Sequence, residues 1–313
     1  MKHKIIIDTD PGQDDAVAIL LALASPDEFD VLAVVAVAGN VGLAQNAKNA
    51  LKVVELSGRT DIPVYAGAVR PMRRKLVTAE HVHGATGLDG PDLPEPKLKL
   101  QAQHGVDFLV DTLLAAEPAS ITLCTLGPLT NIATALVKAP AIVRGVREIV
   151  VMGGAYFEVG NITPTAEFNI FVDPEAADVV LRSGVKITMI PLDVTHGVLS
   201  TRPRLDRIAA IGNAAGQAVN AMLSFSERFD LGKYGEPGAP LHDPCVIAWL
   251  LKPALFEGRN INVTVETHSE LTMGLTVADW WRITDRPRNV FYVSRAEADG
   301  FYALLTDRLA RLL

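Results

Sequence analysis

Ile5-Ile6-Ile7-Asp8-Thr9-Asp10-Pro11-Gly12-Gln13-Asp14-Asp15-Ala16 joins a short β-branched run to a helical stretch, Asp14–Ala24, whose last nine residues are apolar on every side. A helix apolar all round is buried. The same alternation of short apolar run and helical stretch continues through the first 190 residues. Strands are predicted at Ile5–Asp8, Val31–Ala38, Ile121–Thr125, Glu148–Met152 and Ile187–Ile190. Helices are predicted at Leu43–Ser57, Val106–Ala116, Leu129–Lys138 and Pro174–Arg182, the last with Asp173 as N-cap and proline at the first helical position. Strands that are apolar throughout and alternate with helices form a parallel sheet covered on both faces. The chain is therefore expected to be a doubly wound α/β protein with a mostly parallel open sheet.

The remainder is less regular. Residues 70–101, rich in Pro, Gly and charge, read as a long surface excursion. Residues 213–229 look helical, and Asp243–Leu251 begins another helix. Asn260–Val265 and Leu271–Val277 alternate as an antiparallel pair, a small addition near the C-terminus. A final helix is expected from Ser294, with Ser294-x-x-Glu297 as a capping box. No linker or repeat interrupts the 313 residues, so one domain spanning 1–313 is expected.

Composition excludes several classes. The formal net charge of −7 argues against a nucleic-acid binder, which would be basic. Cys124 and Cys245 are too few for a disulfide framework or a zinc site. The N-terminal apolar run ends at Asp8, too short for a signal-peptide core. Ala16–Ala24 and Val31–Ala38 fall short of the ~20 residues that span a bilayer. A cytoplasmic protein with no membrane or nucleic-acid partner is the expectation.

Asp8, Asp10, Asp14 and Asp15 place four carboxylates within eight residues, and they repel unless protons or a cation compensate. Helix capping accounts for Asp14 or Asp15 but not for all four. Oxygen ligands on a glycine-containing turn suit Ca²⁺ or Mg²⁺. No GxxxxGK[ST] phosphate loop is present. Ligands of open α/β sheets bind beyond the carboxyl ends of the strands. Those ends carry Gly39-Asn40, Leu126-Gly127-Pro128, Met152-Gly153-Gly154 and Leu192-Asp193, where glycine would let a ligand approach the backbone. Glu167 and Asn169, at i and i+2, share one side if extended. His242-Asp243 precedes a helix, so Asp243 could be merely its N-cap.

These residues resemble the nucleoside hydrolases, calcium-dependent N-ribohydrolases that cleave the glycosidic bond of ribonucleosides. Asp8–Ala16 looks like the family signature. Further matching blocks are Ala38-Gly39-Asn40, His83-Gly84 with Gly87-Leu88-Asp89-Gly90, Gly127–Asn131, Met152-Gly153-Gly154, Ala166–Asn169, Asp193–His196 and Leu241–Pro244. Gly238–Phe256 looks most like the pyrimidine-preferring branch. The resemblance implies that Asp10, Asp15, Asp243 and the backbone carbonyl of Leu126 ligate Ca²⁺. It implies that Asp14, Asn40, Glu167 and Asn169 hold the ribose hydroxyls, with Met152 lining the sugar site. Asp10 would also act as general base on a calcium-bound water. His242, and with it His83, would face the base, His242 as proton donor and Tyr234 in the same wall. Family members commonly form tetramers or dimers, so a homo-oligomer is expected.

Two other readings remain at this point. Asp8-Thr9-Asp10 at a first strand end mimics the paired Asp of haloacid-dehalogenase-like Mg²⁺-dependent phosphatases, although Gly12 stands where those enzymes have Thr or Val. A non-catalytic ribose- or nucleoside-binding protein could use the same sugar contacts.

Overall fold

β1 (His3–Thr9) sends Ile5 and Ile7 into one hydrophobic cluster and Ile6 into another, all three fully buried. Alternation with a period of two does this, and covering both faces makes the strand read as an unbroken apolar run. The structure, a computed structural model, describes residues 2–235 and 237–312, without the side chains of residues 230, 231 and 234.

The main sheet has eight strands in the order β3 (Val64–Ala66), β2 (Phe29–Ala36), β1, β4 (Ile121–Thr125), β5 (Val146–Met152), β6 (Ile187–Ile190), β12 (Val290–Ala296) and β9 (Phe256–Ile261). All neighbours are parallel except β12 and β9. Two small antiparallel pairs accompany it, β7 (Leu199–Thr201) with β8 (Gly238–Pro240), and β10 (Val263–Val265) with β11 (Thr276–Ala278). Helices α1 (Gln13–Leu23), α2 (Leu43–Leu56), α9 (Arg202–Ala209), α10 (Ala214–Tyr234), α11 (Pro244–Leu251) and α12 (Ala298–Leu309) join the cluster of Ile5 and Ile7. Helices α4 (Gly105–Ala115), α5 (Thr130–Lys138) and α7 (Pro174–Leu181) join that of Ile6. The short α3 (Glu80–His83), α6 (Phe168–Val172) and α8 (Leu192–Thr195) complete the set. The doubly wound, mostly parallel α/β sheet expected from the sequence is the observed one. Cys124 and Cys245 are buried and unpaired, as small apolar residues. Among the described residues, no helix is long and apolar enough to cross a membrane.

From β1 the chain winds outward in both directions, through β2 and β3 on one side and β4 to β6 on the other. The strand order therefore switches between β1 and β4, where open α/β sheets bind ligands. Ala16 to Leu23 of α1 are at most 1% exposed, so this helix is held from all sides and fixes the carboxylates at its start.

Four expectations shift. The final helix begins at Ala298 rather than Ser294, because β12 pairs with β9 as far as Ala296. Glu297 is itself the N-cap, accepting from the backbone N–H of Asp299 (3.0 Å) and Gly300 (2.7 Å). The antiparallel pair is shorter than expected, running from Val263 to Val265 against Thr276 to Ala278, since residues 256–261 belong to the main sheet. The 70–101 excursion is strapped down. Arg74 pairs with Glu175 at 2.7 Å, and Asn49 of α2 donates to the carbonyl of Thr86 at 2.8 Å.

Candidate active site

Asp15 lies in the first turn of α1, where its Oδ2 accepts from the N–H of Gly12 at 3.0 Å. Its Oδ1 accepts from the Thr9 hydroxyl (2.5 Å) and the N–H of Asp10 (3.2 Å). The capping explanation thus holds for Asp15, and its carboxylate is locked in place by β1 and α1 together. Asp10 Oδ2 accepts from the backbone N–H of Asn40 at 2.7 Å. Asp10 Oδ1 is buried and has no hydrogen-bond partner among the described residues. The carboxylate sits between two glycines: a Cβ on Gly39 would come within 2.0 Å of Oδ2, and one on Gly127 within 2.2 Å of Oδ1. The glycines at these two strand ends make room for Asp10, where the sequence suggested close approach of a ligand to the backbone. The side-chain amide of Asn40 donates to the Asp10 carbonyl (3.0 Å) and to Asp15 Oδ2 (3.3 Å).

Asp8 separates from the other three. Its Oδ2 accepts from Asn131 at 2.8 Å, and burial pushes its carboxyl up to about 8, so it is protonated at neutral pH. Asp243, although at the N-cap position of α11, makes no side-chain capping bond among the described residues. One oxygen each of Asp14, Asp15 and Asp243 lies within 4.8 Å of the other two. Burial and then the neighbouring carboxylates push Asp10 and Asp243 well above the usual range and Asp15 to about 6. Crowded buried carboxylates and an orphaned oxygen fit a hard divalent cation, which would offset the repulsion and use the open lone pairs. The cluster can hold a metal ion. Of the four ligands expected from the sequence, Asp15 and Asp243 fall in the close set together with Asp14. Asp10 lies against Asp15, to which its N–H donates, and Leu126 lines the same cavity, its carbonyl accepting from the Asn169 amide at 2.7 Å.

The cavity above this floor is lined by Asp14, Asn40, His83, Met152, Glu167, Asn169 and His242. Glu167 is the N-cap of α6: its carboxylate accepts from the N–H of Asn169 (2.8 Å), Ile170 (3.1 Å) and Gly154 (3.1 Å). Burial outweighs those three bonds and raises it to about 7. The segment is a helix start rather than an extended run, yet Glu167 and Asn169 still reach one cavity. His242 Nδ1 meets the Thr195 hydroxyl at 2.7 Å. Burial, then the neighbouring His196 and His83, lowers His242 to about 3, and burial also lowers His83. Both rings are neutral at pH 7, so His242 can offer the base a hydrogen bond from a ring N–H, and transferring a proton would require the ring to be protonated first. Tyr234 lies outside the residues whose side chains are described.

The sequence reading missed Ser226, Phe229 and Lys233, which line the cavity from α10. Their spacing of three and four puts them on one helix face, a signal present in the sequence but shared by any amphipathic helix. Lys233 donates to the Asn161 carbonyl at 2.6 Å, joining α10 to the loop before α6 across the cavity.

The sequence profile of the inosine-uridine preferring nucleoside hydrolases matches residues 5–303. The chain belongs to this nucleoside hydrolase family. It is 48% identical over 311 residues to a pyrimidine-specific ribonucleoside hydrolase RihA of Shewanella sp. (strain MR-7), covering 99% of this chain and 97% of that one. It is 52% identical over 309 residues to an uncharacterized protein of Schizosaccharomyces pombe, covering 99% of each. Among solved structures, a plant nucleoside hydrolase, the PpNRh1 enzyme, superposes with a TM-score of 0.91 at 33% identity and 99% coverage of both chains. Membership in the nucleoside hydrolase family sets aside the phosphatase and the pure sugar-binding readings.

Proposed function

We propose that the protein hydrolyses the N-glycosidic bond of ribonucleosides, pyrimidine ribonucleosides preferred, to ribose and free base, with Ca²⁺ held by Asp10, Asp15, Asp243 and the Leu126 carbonyl. The observation that carries the reading is the buried Oδ1 of Asp10, without a hydrogen-bond partner among the described residues, beside Asp14, Asp15 and Asp243 at the sheet's switch point. Similarity to a pyrimidine-specific relative supports the choice of base. When bound, the cation supplies positive charge that lowers the pKa of a neighbouring water and offsets the carboxylates.

The chain's own residues account for the remaining chemistry. Asp10 Oδ1 accepts a proton from water as the water oxygen attacks the anomeric carbon. The bond to the base nitrogen breaks with its electron pair going to the base, through an oxocarbenium-like ribosyl cation. Asp14 places negative charge beside the sugar and Glu167 adds to it when ionised, which favours the cationic ribosyl over the neutral substrate. Asn40 and Asn169 orient the hydroxyls, and Met152 covers the sugar. His242 and His83, which both line the cavity, meet the leaving base. The chain acts as a single domain, 1–313, in a homo-oligomer of two or four copies; Trp281 and Ile283, 72% and 83% exposed, offer apolar surface for such contacts.

A turnover screen of uridine, cytidine, inosine and adenosine, reading ribose released, tests this function. Release from uridine or cytidine is expected. No release from any of the four would overturn the function, and release from the purines alone would overturn the base preference. Asp10→Asn is expected to lower kcat by roughly a hundredfold or more, the scale of a lost general base. It should melt near the wild type, because the amide oxygen still accepts from Asn40. A variant retaining a tenth of wild-type kcat would remove Asp10 from this role. His242→Ala is expected to lower kcat on uridine about tenfold or more but much less on p-nitrophenyl riboside, whose leaving group departs without a proton. Equal losses on both would assign His242 to holding the sugar instead.

A further inference from the structure

Gln13 faces inward at the start of α1, 1% exposed, on the signature segment but outside every role given above. Its side-chain nitrogen lies 2.9 Å from the His83 carbonyl and 3.0 Å from the Asp89 carbonyl. Its other side-chain atom, Oε1, lies 2.6 Å from His83 Nδ1. Carbonyl oxygens only accept, so the two hydrogens of the Gln13 amide are committed to them. Flipping the amide would press its oxygen against two carbonyls, so the orientation is set by the network. Oε1 can then only accept, and the proton between it and the ring must belong to Nδ1. Gly12 permits the approach: a Cβ there would fall 2.6 Å from His83 Nδ1.

We infer that Gln13 is a positioning residue that fixes neutral His83 as its Nδ1–H tautomer, leaving Nε2 as a hydrogen-bond acceptor for the nucleoside in the cavity. The inference rests on the function proposed above for its ligand, though not for the tautomer itself. The two carbonyls that Gln13 holds are themselves fixed. Asp89 accepts from the N–H of Ala85 (3.2 Å) and Thr86 (3.3 Å), and the N–H of Gly87 donates to Gly84 at 3.1 Å. One side chain thus registers both the ring and the loop that carries it on the buried helix. His242 differs, because the Thr195 hydroxyl at its Nδ1 can donate or accept and so leaves either tautomer open. The two histidines consequently divide the work: His83 accepts from a hydroxyl or N–H of the substrate, and any proton to the departing base comes from elsewhere.

Nitrogen-15 NMR of the uniformly labelled full-length protein tests this, with His83 assigned by the signals lost in His83→Ala. The expected wild-type pattern is a protonated Nδ1 and an unprotonated Nε2. In Gln13→Met, which has neither donor nor acceptor, the His83 signals should move toward the Nε2–H form. In Gln13→Met the KM for uridine should rise about threefold to tenfold, the scale of one lost hydrogen bond, with kcat changed less than twofold. An Nε2–H tautomer in the wild type, or an unchanged tautomer in Gln13→Met, would overturn the inference. Should Gln13→Met fail to fold, the wild-type spectrum decides alone. A wild type that cleaves no nucleoside yet shows Nδ1–H would defeat the function and leave the tautomer standing.

Discussion

Exhaustive chelation of the purified protein is expected to abolish ribose release from uridine, and added Ca²⁺ to restore it. The reason is electrostatic. Asp10, Asp15 and Asp243 are buried, and burial together with their neighbours pushes all three above the ordinary carboxylate range. Without a cation, protons must neutralise part of the cluster, and a protonated Asp10 accepts no proton from water. With a cation, all three can ionise together and the buried Oδ1 of Asp10 becomes a base. Metal analysis should find one Ca²⁺ per chain, and Asp243→Asn should lose it. Full activity in a verified metal-free preparation would dispose of the metal reading.

2′-Deoxyuridine should be cleaved about 10⁴-fold less efficiently than uridine in kcat/KM, because a site built to hydrogen-bond a hydroxyl rejects the analogue lacking it. Asn40, Glu167 and Asn169 are all buried at the cavity wall, so a missing hydroxyl strands polar groups that water does not easily reach. Glu167 already accepts three backbone N–H bonds and so acts more through its charge. Asp14 and the oxygen of the Asn169 amide, whose nitrogen is held by Leu126 and Met152, are the freer acceptors. Comparable kcat/KM for the two substrates would remove these residues from sugar recognition.

Much of the site was legible because its residues sit at strand ends whose spacing the chain advertises. Asp15 in the first helical turn, Asn40 after the second strand and Asp243 before a proline-started helix are tied to local elements, and each faces the cavity. Roles that depend on what packs opposite were not legible. Asp8 and Asp10 differ by two residues in sequence. One meets Asn131 of α5, and the other meets the N–H of Asn40 between two glycines. Ser226, Phe229 and Lys233 entered the cavity only because α10 lies across it.

The sequence by itself determined the parallel α/β core, through apolar runs and helical periods that need only a few neighbouring residues to be read. It also carried the family, through the acidic turn and its accompanying blocks. Tertiary structure alone decided that β12 continues past Ser294, since its partner β9 lies more than thirty residues upstream. It alone decided which carboxylates share a cavity and which proton His83 carries, because Gln13 and His83 are 70 residues apart. Backbone propensity and hydrophobic period are local properties of the chain, whereas burial, charge repulsion and hydrogen-bond direction depend on partners that only folding brings together.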